Sequence, residues 1–203
     1  MTLSRKDFIK TSSVAIVGLA GNDLISEDLK LFNSIKFEAL HLKGSVLDKF
    51  KFAKQAGYNA LEVNSQGYNR KEILLASKIS GMKIVTVYNS DNWTRNLSSL
   101  NTEERTEAVK SVEKSILIAD YYNAEYVHLL PGLVDEERPE ESKKSLLCSL
   151  RSISALLAKL NVKALLQNFP SSFFNEPAFI EDVLVSLKSE KFGFCLDLES
   201  TKS

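Results

Sequence analysis

From residue 35 onward, strand-like and helix-like stretches take turns along the chain, and no hairpin signal joins two strands directly. Residues 35–42 (IKFEALHL) alternate between apolar and polar and read as a first strand. Residues 46–56 carry Val46, Leu47, Phe50 and Ala53 at helical spacing, with Gly57 placed to end that helix. The pattern then repeats: strand 59–63, helix 70–80 stopped by Gly81, and the β-branched strand 83–88 (KIVTVY). A polar loop (NSDNWTRNLSSLN) leads into a helix that begins at Thr102, the residue expected to cap it, with an apolar stripe of Val109, Val112, Ile116 and Ala119. Strand 125–130 (EYVHLL) follows, and Pro139 opens a helix whose core face is Leu146, Leu147, Leu150, Ile153, Leu157 and Leu160. Strand 162–166, a helix over about 178–187 and strand 192–196 complete the series. Stretches that alternate in this way require an α/β fold with a parallel sheet, here of about six strands and five intervening helices.

Two architectures satisfy that alternation: a doubly wound open sheet and a (β/α)8 barrel. No GxGxxG follows any strand in a chain with only eight glycines, so the phosphate turn of a dinucleotide fold is missing. A barrel takes about eight βα units and about 250 residues. With 203 residues, the chain has room for a partial barrel about two units short. Lys+Arg and Asp+Glu number 26 each, a balance that excludes a nucleic-acid binder relying on a broad basic surface. The two cysteines, Cys148 and Cys195, fall in a helix pattern and a strand pattern and read as buried free thiols; there is no CxxC or Cys/His cluster for zinc.

The first 21 residues read differently. Arg5 and Lys6 precede a short apolar run over 14–20, and Gly18 and Ala20 are small residues suited to cleavage after Ala20. SRKDFIK resembles a twin-arginine export signal with Lys6 in place of the second arginine. The run is too short to span a bilayer. On this reading 1–21 is an export signal, 22–34 a lead-in and 35–203 the barrel domain, and the protein is periplasmic or otherwise exported. The other reading of 1–21 is an amphipathic first helix of a cytoplasmic protein.

Several strand-end segments resemble the sugar phosphate isomerase/epimerase family, the xylose-isomerase-like TIM barrels. GYNALEV (57–63) is similar to its G-[FY]-x-x-[VL]-E segment at strand two. Asn92, Trp93 and the LSS at 97–99 resemble the loop after strand three in one branch. AEYVHLLPGLV (124–134) resembles its fourth strand and following loop, NVKALLQN (161–168) its GV-x-[LI]-x-[LI]-EN at strand five, and FCLD (194–197) the end of strand six. The order and spacing hold over about 35–198.

The resemblance implies a site at the C-terminal strand ends, a divalent metal (manganese or similar), a sugar or sugar phosphate substrate, and proton transfer next to the sugar carbonyl. It places Gln167 where the family has a catalytic, metal-binding Glu. A neutral amide can offer a weak ligand oxygen but cannot accept a proton. It also implies Asp197 as a metal ligand, Asn168 as a retained family residue and Glu62 as a recurrent strand-two carboxylate. Glu62 either contacts substrate or braces the strand ends. The remaining candidates for substrate contact are His41 near the end of strand one, His128 and Trp93. For each the bland alternative is packing. The family's His and Glu on strands seven and eight have no counterpart among six strands, so the expected metal binding is weak.

Three readings follow. The chain is part of a longer isomerase or epimerase, with weak or no activity as it stands. Or it is a non-catalytic relative that binds a sugar or a partner chain, with a homodimer formed through open sheet edges. Or it is an unrelated doubly wound binding domain.

Overall fold

The computed structural model describes residues 32–93, 95–168 and 177–196. The export signal expected at 1–21 and the ligand expected at Asp197 lie outside the described residues. Six strands, β1 (Ser34–Lys36), β2 (Ala60–Asn64), β3 (Lys83–Tyr88), β4 (Tyr126–Leu129), β5 (Lys163–Gln167) and β6 (Phe192–Cys195), form one parallel sheet. They lie side by side in chain order. Between them run α1 (Val46–Gln55), α2 (Arg70–Ser80), α3 (Thr102–Tyr122), α4 (Pro139–Lys159) and α5 (Pro177–Leu187).

The strand order decides between the two architectures. A doubly wound sheet reverses direction at a switch point. Here every crossover steps to the next strand on the same side, and right-handed crossovers then put every helix on one face. Helices pack accordingly, α1 on α2, α3 on α4 and α4 on α5. The fold is α/β with the architecture of a partial (β/α)8 barrel.

One face of the sheet builds the core. Leu61, Val63, Ile84, Val87, Val127, Leu129, Ala164, Leu166 and Phe192 pack with helix residues such as Phe50, Ile73, Val112, Ile116, Leu146, Leu150, Ile153, Leu157 and Val183. Each fully buried Leu or Ile contributes about 1.5–3 kcal/mol. Because side chains alternate along a strand, the intervening residues point to the opposite, inner face.

Local sequence sets the helix ends. Ser45 and Asp48 form a capping box on α1, and Gly81, in the left-handed region at φ 69°, ends α2. Thr102 does not cap α3; Asn101 does, its side chain accepting from the amides of Glu103 and Glu104, while the Thr102 hydroxyl accepts from Arg105. An asparagine oxygen reaches the N2 and N3 amides as well as a threonine hydroxyl, so the helix takes the cap one residue earlier.

The first strand is shorter than its pattern. β1 ends at Lys36, and Phe37–Ala39 form a 3-10 turn. Phe37 and Leu40 are both buried, and a three-residue spacing faces one side only in such a turn, not in an extended strand. The polar loop after β3 likewise opens with a 3-10 turn, Ser90–Trp93. Cys195 is buried as expected, but Cys148 is exposed: on α4 it sits about 200° around the helix from the core residue Leu146.

Candidate active site at the strand ends

Toward the strand ends, the inner face of β2, β3 and β4 is polar. Glu62 pairs in register with Thr86, and Thr86 with Tyr126; one layer on, Asn64 pairs with Tyr88, and Tyr88 with His128. Gln167 pairs with Cys195 at the end of β5. A one-residue irregularity between Leu61 and Glu62 makes this possible. Leu61 pairs with Ile84, but Glu62 pairs with Thr86, so Val85 is skipped. In an unbroken register Tyr88 would fall on the helix side; the extra residue turns it inward beside His128.

Two carboxylates are held in this layer. The Tyr88 hydroxyl donates to Glu38 Oε2, and Ser34 Oγ donates to Glu62 Oε1 at 2.7 Å. The Lys36 ammonium lies 5.5 Å from the centre of the Tyr88 ring. Burial, then the charge of the neighbouring Glu38 carboxylate, push Tyr68 up to about 12. Burial and the hydrogen bond to Glu38 push Tyr88 up as well. Both phenols therefore stay protonated, and Tyr88 is a donor to Glu38 rather than a base. His128 is 8% exposed. Burial pushes its imidazole below the ordinary 6.5 and outweighs the opposing pull of Glu62, with Lys36 adding to the downward push. At neutral pH it is an uncharged ring. Among the described residues, Glu38 Oε1 and His128 Nε2 are buried without a hydrogen-bond partner.

The loops that follow β3 and β4 are clamped together. Asn96 Nδ2 donates to the Leu133 carbonyl at 2.8 Å, and the Ser98 amide donates to Asn96 Oδ1 at 2.9 Å. Ser98 Oγ lies 2.7 Å from both Asn96 Oδ1 and the Leu133 oxygen. Gly132, at φ 99°, makes room for this clamp.

The sequence candidates divide. Glu62 and His128 share the inner face, and the Glu62 charge acts on the His128 imidazole. Gln167 ends β5, half-buried, and the adjoining Asn168 is buried, its amide donating to the Cys195 carbonyl at 3.4 Å. His41 is exposed in the loop past the first 3-10 turn and does not join that layer. Trp93 ends the turn after β3. Glu38, Tyr68 and Tyr88 were not singled out from the sequence. Tyr88 carried a usable signal, as the polar end of an apolar strand. Glu38 carried none, because only the 3-10 turn brings it to Tyr88.

Residues 50–199 match the sequence profile of the family described as Xylose isomerase-like TIM barrel. The chain belongs to that family. Solved structures agree on the barrel fold. A 3-keto-D-glucoside 4-epimerase from E. coli superposes with a TM-score of 0.69 at 15% identity, covering 79% of this chain and 66% of that one. An L-ribulose 3-epimerase superposes at 0.72 and 13%, covering 82% and 60%. A xylose isomerase-like TIM barrel protein from Mycobacterium smegmatis, in complex with magnesium, superposes at 0.57 and 10%, covering 73% and 54%. This member of the family thus spans about 54 to 66% of the length of these three structures. No curated protein matches the chain.

A divalent cation of the kind bound to that relative wants several oxygen ligands, carboxylates above all. Among the described residues no three His, Cys, Asp or Glu side chains gather into a set that can hold a metal ion. Gln167 brings only a neutral oxygen. The described donors do not fit a metal on their own.

Proposed function

We propose that the strand-end face binds a sugar or sugar phosphate and serves an isomerase or epimerase reaction in which a proton moves next to the carbonyl. The observation that carries this reading is Glu62: a buried carboxylate on the inner face, fixed by Ser34 and set near an uncharged imidazole. Glu62 is the proton acceptor in this reading. Gln167 and Asn168 contribute hydrogen bonds to substrate, and Trp93 is a further candidate contact from the turn after β3. A positioned general base contributes about 10²–10⁴-fold to such a step. An enzyme with Gln167 where its second carboxylate belongs is slower by about that factor. Manganese or a similar cation would be held by Asp197, weakly by the Gln167 oxygen, and by ligands outside the described residues.

The test is product formation from a panel of ketohexoses and their phosphates with manganese present, followed by chromatography. Slow interconversion that disappears in Glu62→Gln supports the reading. No product from any of them removes it.

Gln167 favours a second reading, a non-catalytic relative that binds a sugar or a partner chain. A ketose that binds by calorimetry yet yields no product supports it. β1 and β6 are the edges of the described sheet, and a second copy pairing with them would form a homodimer, visible by sedimentation. No helix among the described residues is long and apolar enough to cross a membrane. We place the protein outside the cytoplasm on the strength of residues 1–21; replacing Arg5 and Lys6 with Gln should retain precursor in the cytoplasm, and unchanged fractionation removes that placement.

A further inference from the structure

Two buried side-chain atoms on or beside the inner face lack a partner among the described residues, Glu38 Oε1 and His128 Nε2. Buried polar atoms in folded proteins are nearly always paired, so an unpaired one calls for an explanation. Here there are two, and Tyr88 connects them: its hydroxyl donates to the other oxygen of Glu38, and its backbone pairs in register with His128. The two atoms have different chemistry. A carboxylate oxygen only accepts hydrogen bonds, whereas an uncharged imidazole nitrogen either donates or accepts, according to its tautomer. A set of neighbouring hydroxyls, each both donor and acceptor, satisfies both.

The charges around them narrow the ligand further. Glu38 and Glu62 bring two negative charges to this layer, and Lys36 brings one positive charge. Burial keeps His128 uncharged, and the two tyrosines stay protonated. A phosphate group entering here would meet net negative charge in a desolvated setting.

We propose that Glu38 and His128 form a hydroxyl-recognition subsite on the β1–β4 half of the strand-end face, and that it selects the neutral polyhydroxyl end of a sugar against a phosphorylated end. Tyr88 is a positioning residue that holds the Glu38 carboxylate. The proposal rests on the sugar-binding reading above and adds which half of the site takes which end of the sugar.

The chain has two histidines, so ring-labelled protein gives two imidazole signals. His41 is exposed and serves as the internal reference. The experiment titrates full-length protein with D-fructose and, separately, with D-fructose 6-phosphate, and follows both rings by NMR. The expected result is that D-fructose moves the His128 signal and leaves that of His41 in place, with the phosphate ester at least about tenfold weaker at His128. Glu38→Gln keeps an oxygen for Tyr88 to bond and removes one negative charge. It should weaken D-fructose about tenfold while leaving the phosphate ester unchanged or tighter, a crossing that general damage to the fold would not produce. D-fructose that is turned over or bound with His128 unmoved overturns the subsite and leaves the family reaction standing. Equal response to both ligands overturns the selectivity. D-fructose that neither binds nor reacts overturns the subsite and counts against the sugar-binding reading together.

Discussion

Replacing Gly132 with alanine should cost about 3 kcal/mol of stability, and the structure shows where the cost arises. A Cβ at this position would lie 1.8 Å from Asn96 Oδ1, 2.7 Å from its Cγ and 3.2 Å from its Cα. The side chain must leave, because the first two distances are far inside contact. Its departure breaks the bond to the Leu133 carbonyl and strips the amide of buried Ser98 of its acceptor. A lost neutral hydrogen bond costs about 0.5–1.5 kcal/mol, and a buried amide left unpaired costs about 1–3 kcal/mol. The backbone adds about 1–2 kcal/mol, since φ is 99° and an L side chain is strained there. Partial relaxation of the loop brings the sum to about 3 kcal/mol. Urea unfolding should show the loss as a lower midpoint with an unchanged slope. Asn96→Ala alone should cost about 1–2 kcal/mol through the same bonds. The double variant should cost less than the two added, because the clash has no target once Asn96 is truncated. A Gly132→Ala loss under about 1 kcal/mol, or strict additivity in the double variant, refutes the reasoning.

Other outcomes follow from the inner face. His128 is held below the ordinary 6.5, so the unfolded chain takes up a proton that the folded chain refuses. Its contribution is full above about 6.5 and is lost as pH falls from there towards the folded value, with a slope of at most about 1.4 kcal/mol per pH unit. Thermal midpoints of wild type and His128→Gln should converge as pH drops through this window; parallel profiles contradict the burial argument. Tyr88→Phe removes the donor to Glu38 and should cost about 1.5–3 kcal/mol, the range for a bond to a charged group, measured by urea unfolding; a neutral result shows that the pair is not formed in solution. Gln167→Glu restores a charged oxygen and should tighten manganese binding in a calorimetric titration. Unchanged affinity means that position 167 does not face the cation.

How far the sequence foretold this outcome depended on the range of the interactions involved. The helix faces around Leu146, Leu150, Ile153 and Leu157 were legible because burial follows a fixed local period. The partial barrel was half legible: alternation gave the parallel sheet, but sequential strand order is a long-range property and separated the barrel from the doubly wound sheet only in three dimensions. The first strand misled because Phe37 and Leu40 fit an alternating pattern poorly, while their three-residue spacing suits a 3-10 turn. Within the site, Glu62 and His128 stood out as polar residues in apolar strands. Glu38 did not, since its role depends on a partner fifty residues away, and Tyr88 turns inward only through a register irregularity that no local pattern announces. Cys148 shows the converse limit: thiols tend to be buried, but its place on the helix decides that it is not.

The central claim is that Glu62 moves a proton next to a sugar carbonyl. Solvent isotope exchange tests it most directly, because one proton transfer leaves a mark even when net conversion is slow. Full-length protein, manganese and a neutral ketohexose are incubated in heavy water, and the sugar is recovered for NMR. The account expects deuterium at the carbon beside the carbonyl, with the incorporation abolished in Glu62→Gln. A ketohexose that binds but returns without deuterium, or with equal deuterium from the variant, contradicts it.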